Sequence, residues 1–125
     1  MTTKFHQLPQ FTREFKKLAK KYRSLWEDLE EFKRVLEVQP LGTGKHFNVI
    51  TRSDKITVVK ARLFCRYLKG SSLRIIYAGL SDRSHVVFID IYFKGDQENE
   101  DRARIEVFLK DKSKWLNCYI DKLLK

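Results

Sequence analysis

"VVKARLFCRYLKGSSLRIIYAG", residues 58–79, alternates in period two on either side of a Lys69-Gly70-Ser71 reversal. That pattern predicts two antiparallel strands of a hairpin. Alternate side chains of a strand share a face. Val59, Ala61, Leu63 and Cys65 form one wholly apolar row, expected to pack on helices. Val58, Lys60, Arg62, Phe64 and Arg66 form the other. In the second strand Leu73, Ile75 and Tyr77 point inward, and Arg74, Ile76 and Ala78 outward. The cations of the hairpin therefore fall on one face.

Working outward, "HFNVI" at 46–50 and "HVVFIDIYFK" at 85–94 also read as strands, with "LGTGK" and Ser81-Asp82-Arg83 as turn segments. Tight connections make an antiparallel meander of about four strands the economical topology. In the last strand Val87, Ile89, Ile91 and Phe93 are expected inside, and Phe88, Asp90, Tyr92 and Lys94 outside. Before the meander, Phe11, Phe15, Leu18 and Tyr22 make one helical stripe, with Arg13, Lys16, Lys17, Lys20 and Lys21 opposite. Ser24 with Glu27 reads as a capping box that starts a second helix. Its stripe is Leu25, Leu29, Phe32 and Leu36, and Pro40 ends it. The short connection implies an antiparallel helical hairpin. Helical period returns after Asn99, a plausible N-cap, through Ile105, Phe108, Leu109, Leu116, Ile120 and Leu123, with a break near 111–113. The fold class is α+β: a helical hairpin on one face of the sheet, plus a C-terminal helix.

With 125 residues the chain reads as one domain, residues 1–125. Cys65 and Cys118 lack metal-ligand spacing and read as buried thiols. The chain opens without an apolar signal-type segment and contains no run near the ~20 residues of a membrane span. A soluble cytoplasmic domain with no membrane partner is expected. The net charge of +10 is uneven: residues 1–38 carry 9 Lys+Arg against 6 Asp+Glu, residues 39–95 carry 10 against 3, and residues 96–125 carry 7 against 7. The excess sits in the strands, where it would attract a polyanion such as nucleic acid, an anionic membrane surface or an acidic protein.

Two readings of the outer face stand together. One is an ordinary solvated face whose long side chains cover apolar surface. The other is a basic groove for RNA, in which cations meet phosphates while Phe64, Phe88 and Tyr92 stack on bases. Asp90 is the only carboxylate among the outward positions of the meander core, which favours the second. The residues lead to an anion-binding sheet face and no further. His6, His46 and His85 are scattered; His46 and His85 read as polar edge residues. "LGTGK" lacks P-loop spacing, and "GDQENED" at 95–101 lacks an EF-hand ligand pattern.

The helical segment "FKKLAKKYRSLWEDLEEFKRVLEVQP" at 15–40, "KAR" at 60–62, "LRIIYA" at 73–78 and "VVFIDIYFKGDQENEDRARI" at 86–105 together resemble the RelE/ParE superfamily of toxins from type II toxin–antitoxin systems. The resemblance covers nearly the whole chain and points to the RelE-like branch. It implies a small RNase that enters the ribosomal A site and cleaves mRNA by 2′-hydroxyl attack, without metal or cofactor. A cognate antitoxin would silence it, and operator DNA would be bound only through that complex. Arg74 matches the family's R-x-x-Y arginine and would clamp phosphate. Lys60 and Arg62 match its Lys-x-Arg pair, with Lys60 a candidate for electrostatic or base duty if neighbouring cations lower its pKa. Lys94 matches more loosely, and Arg66 would steer RNA. The sequence departs from RelE at Val58, where that family has a second lysine, and in having no tyrosine after Lys94 at the place equivalent to the family's base-stacking one. The same scaffold also serves ParE-like gyrase inhibitors, and it would suit a non-catalytic RNA- or protein-binding module.

Overall fold

In the computed structural model, residues 3–39, 44–53, 55–68, 72–80, 85–95, 97 and 99–110 are described. The C-terminal stripe positions Leu116, Ile120 and Leu123, together with Cys118, Pro40 and the reversals at 69–71 and 81–83, lie outside them. The elements run β1 (Lys4–Gln7), α1 (Pro9–Lys21), α2 (Leu25–Val38), β2 (Phe47–Arg52), β3 (Ile56–Phe64), a 3-10 turn (Arg66–Leu68), β4 (Ser72–Leu80), β5 (His85–Phe93) and α3 (Arg102–Lys110). One five-stranded sheet has the order β1-β5-β4-β3-β2. The meander of β2 to β5 is antiparallel, as expected. The fifth strand is β1, which pairs parallel to β5 and carries the chain directly into α1.

Both N-terminal helices form where the apolar period places them. Pro9 suits the first turn of α1, where its missing N–H leaves no bond unmade, and Lys20 and Lys21 complement the dipole at its end. Phe11, Phe15, Leu25, Leu29, Phe32 and Leu36 are all buried. Facing them, the inner sheet rows stack as Leu63–Leu73–Phe93, Ala61–Ile75–Ile91 and Val59–Tyr77–Phe88.

The last of these rows corrects the expected facing of β5. The register shifts between Ile76 and Tyr77, so that Ile76 faces Asp90 while Tyr77 faces Phe88. Ile89 is the extra residue of a bulge, and the alternation of β5 reverses across it. Phe88 is thereby turned into the core, 0% exposed, with its ring stacked on Phe5 and Phe11 at 5.8 and 5.4 Å. It is no surface for a base.

The caps also differ from expectation. The Ser24 hydroxyl makes no capping bond; it donates to Asp28 at 2.7 Å and accepts the Tyr67 N–H at 3.1 Å. At α3 the cap is Asp101, not Asn99: its carboxylate accepts the Arg104 N–H at 3.0 Å. Arg104 then reaches Glu14 of α1 at 2.6 Å, the Ile89 carbonyl at 3.0 Å and Asp90 at 3.4 Å. The register of β1 with β5 ends at Phe88, so this guanidinium occupies the strand edge that β1 leaves open. The segment opening α3 lies against the outer sheet face, through Lys60–Glu100 and Asp90–Asp101 contacts. Helical cover is therefore not confined to one face. Val58, Ile76, Ala78 and Val87 on the outer face are buried in the same cluster as Ile105 and Phe108 of α3.

At the β1–β5 pairing, His6 Nε2 and His85 Nδ1 stand 3.2 Å apart. Burial, then the charges of His85 and Lys4, hold His6 below the usual histidine value. The unfolded chain therefore binds more protons than the folded one across that interval. Stability is full above about pH 6.5 and declines as pH falls toward the folded-state value. The loss stays below ~1 kcal/mol because water screens a partly exposed ring. Urea unfolding at pH 7.5 and 5.5 should show this decline in the wild type, and a smaller one in His6→Gln.

Candidate anion-binding site on the outer sheet face

Three rungs cross the outer face. Val58–Ala78–Val87 is apolar, Lys60–Ile76–Asp90 is mixed, and Arg62–Arg74–Tyr92 puts two guanidinium side chains directly opposite each other. Like charges facing across an antiparallel pair destabilise a sheet. Such an arrangement is better explained by an external anion than by folding.

The cations converge. Lys45, His46, Asn48, Lys60, Ala61, Arg62, Arg74 and Lys94 line one cleft of about 200 Å³, and among the described residues its wall has five cations and no carboxylate. The four residues expected to carry the chemistry, Lys60, Arg62, Arg74 and Lys94, are thus brought together. Arg74 Nη1 donates to Ser72 Oγ at 2.8 Å, which orients the guanidinium. No carboxylate among the described residues pairs with Arg62, Arg74 or Lys94.

Lys45, His46 and Asn48 also line this cleft, and the sequence reading missed them. Antiparallel pairing brings the start of β2 beside the end of β3: Asn48 faces Lys60, and the Arg62 N–H donates to the His46 carbonyl at 3.1 Å. Counting that register from the strand pattern is the signal that could have found them. The His46 ring meets Phe64 edge-on at 5.1 Å, and its Nδ1 is buried without a partner among the described residues.

Lys60 is the exception within the cluster. Its Nζ donates to Glu100 Oε2 at 3.1 Å, and the Glu100 side chain is only 5% exposed. Burial opposes the charge on Lys60, but the hydrogen bond and charge of Glu100, with the nearby Tyr92 hydroxyl, outweigh it and raise the ammonium above its ordinary value. A depressed Lys60 acting as a base is therefore not what this geometry produces; Lys60 is a held cation. Glu100 responds in kind. Burial disfavours its charge, yet backbone and Lys60 hydrogen bonds, with the charges of Lys60 and Arg102, carry its pKa below the ordinary value.

The expected RNA contacts divide. Phe64 is 59% exposed beside the cleft. Tyr92 lies on the outer face opposite Arg74 but is 4% exposed, so its ring is packed rather than offered for stacking. Arg66 is not on the sheet at all. β3 ends at Phe64 and the 3-10 turn sends Arg66 toward α2, where it pairs with Glu27, Asp28 and Glu31. Buried Asp28 accepts the Arg66 N–H at 3.3 Å and ends the strand there. With its charge committed to three carboxylates, Arg66 does not belong to the cleft.

Among the described residues no group of three or more His, Cys, Asp or Glu is arranged to hold a metal ion, and no helix is long and apolar enough to cross a membrane. The sequence matches no protein-family model and no curated protein. Solved structures do match. An archaeal RelE–RelB complex from Pyrococcus horikoshii OT3 superposes with a TM-score of 0.58 at 20% identity, covering 76% of this chain and 98% of the other. An arginine-to-alanine double mutant of the E. coli toxin RelE in the free state gives a TM-score of 0.51 at 17% identity, covering 78% of this chain and 90% of the other. The chain has the RelE-like toxin fold.

Proposed function

We propose that this chain is the toxin of a toxin–antitoxin pair and cleaves mRNA on the ribosome at the outer-face cleft. The observation that carries the reading is a cleft with five cations and no carboxylate among its described wall residues, on a RelE-like fold. Metal-free cleavage needs the added charge of a pentacoordinate phosphate to be met by fixed donors, and Arg62 and Arg74 supply them. The 2′-oxygen forms its bond to phosphorus as its proton passes to solvent. The bond to the 5′-oxygen breaks, and that oxygen takes a proton from the Lys60 ammonium, leaving a 2′,3′-cyclic phosphate. Lys94 and Lys45 hold the flanking phosphates.

The partner is an antitoxin with an acidic segment that covers the same cleft, since opposite charge favours both encounter and register. The RelB seen with the archaeal relative supports that reading. Mapping of mRNA 5′ ends after induced expression tests it. Codon-positioned cuts in translated messages are expected; intact messages with trapped gyrase–DNA complexes would instead identify a gyrase inhibitor.

A further inference from the structure

Lys60 carries an anion already, and the chain supplies it. Glu100 Oε2 lies 3.1 Å from Lys60 Nζ, on the opening segment of α3, while Arg102 Nη2 stands 3.7 Å from Glu100 Oε1. Glu100 is also held from its neighbour's side. The Asp101 N–H donates to Asp90 at 2.9 Å, and Asp101 caps α3. A carboxylate placed on a lysine presents oxygens where a phosphate oxygen would otherwise accept from that ammonium.

We infer that Glu100 is an internal counter-ion of the cleft, a specificity-determining residue that an incoming phosphate must share or displace. The inference rests on the phosphate-binding reading of the cleft. With Glu100 in place, one of the five cations is neutralised, so a lone anion meets a weakened site. A strand that engages Arg62, Arg74, Lys94 and Lys45 together still overcomes the competition, because several contacts act at once. Discrimination of this kind uses a built-in repulsive element rather than a better attractive one. It also keeps Lys60 charged and oriented while the cleft is empty.

The test is binding of a single-stranded 12-nucleotide RNA carrying 2′-O-methyl groups, which cannot be cleaved, measured by fluorescence anisotropy between 50 and 250 mM salt. Glu100→Gln removes the competing charge. It should bind about five- to tenfold more tightly at the lowest salt, with log K falling more steeply against log salt by about 0.7. Glu106→Gln makes the same change in net charge on an exposed position of α3 and should stay within about twofold of wild type. If Glu100→Gln matches Glu106→Gln, or binds more weakly, the inference is overturned. Melting temperatures are read for each variant, and Glu100→Ala replaces Glu100→Gln if the latter does not fold. Arg74→Ala separates the two levels. If it binds as well as wild type, the phosphate reading of the cleft fails and the role of Glu100 fails with it. Weaker binding by Arg74→Ala with no gain in Glu100→Gln overturns only the second.

Discussion

Arg74→Ala should lower single-turnover RNA cleavage about 100- to 1000-fold, the usual loss when one fixed donor to a developing oxyanion is removed. The same substitution should leave the melting temperature unchanged or slightly raised. Arg74 faces Arg62 across the β3–β4 pair, and its side-chain bond is to Ser72 on its own strand. Truncation therefore relieves a like-charge pair and, among the described residues, strands no buried partner. Loss of activity without loss of stability separates a group kept for a ligand from one kept for the fold. A fall of several degrees in the thermal midpoint would mean that Arg74 holds the sheet together, and the assignment of the cleft would be wrong. Single-turnover conditions with a defined message on stalled ribosomes, beside thermal unfolding of the same preparations, give both numbers.

The second large effect is on stability alone. Phe88→Ala should destabilise by about 3–5 kcal/mol, because it empties a ring-sized volume between Phe5, Phe11 and Tyr77. For a domain of this size that lowers the melting temperature by more than about 10 °C. Phe64→Ala, at a ring 59% exposed, should cost well under 1 kcal/mol. The pair decides which aromatic side chain a base could reach. Were Phe88→Ala to melt like wild type while losing RNA affinity, the bulge at Ile89 would be absent and Phe88 would face out. Equilibrium urea denaturation of both variants is sufficient.

The sequence was most legible where order is local. The β3–β4 pairing, the inner row of β3 from Val59 to Leu63 and the stripes of α1 and α2 follow from period, and the structure keeps them. What escaped depends on partners far away in the chain. β1 is four residues long and gains its pairing only from β5, about 80 positions later. One extra residue at Ile89 leaves no mark in a run already apolar on both sides. The strand pattern continues past Phe64, but Asp28 takes the Arg66 N–H and turns the chain toward α2. The cleft was legible in Lys60, Arg62 and Arg74, which share a face by alternation. It was not legible in His46, which needs the β2–β3 register, nor in Glu100, which meets Lys60 across 40 positions.

Arg104 joins three elements, and this limits how the cleft can open. Its guanidinium serves Glu14, the Ile89 carbonyl and Asp90, and burial already pushes the Asp90 carboxyl above its ordinary value. Peeling α3 away would strand a carboxylate with 1% exposure and uncover a strand edge together. α3 is thus a rivet between α1 and β5 rather than a hinged door.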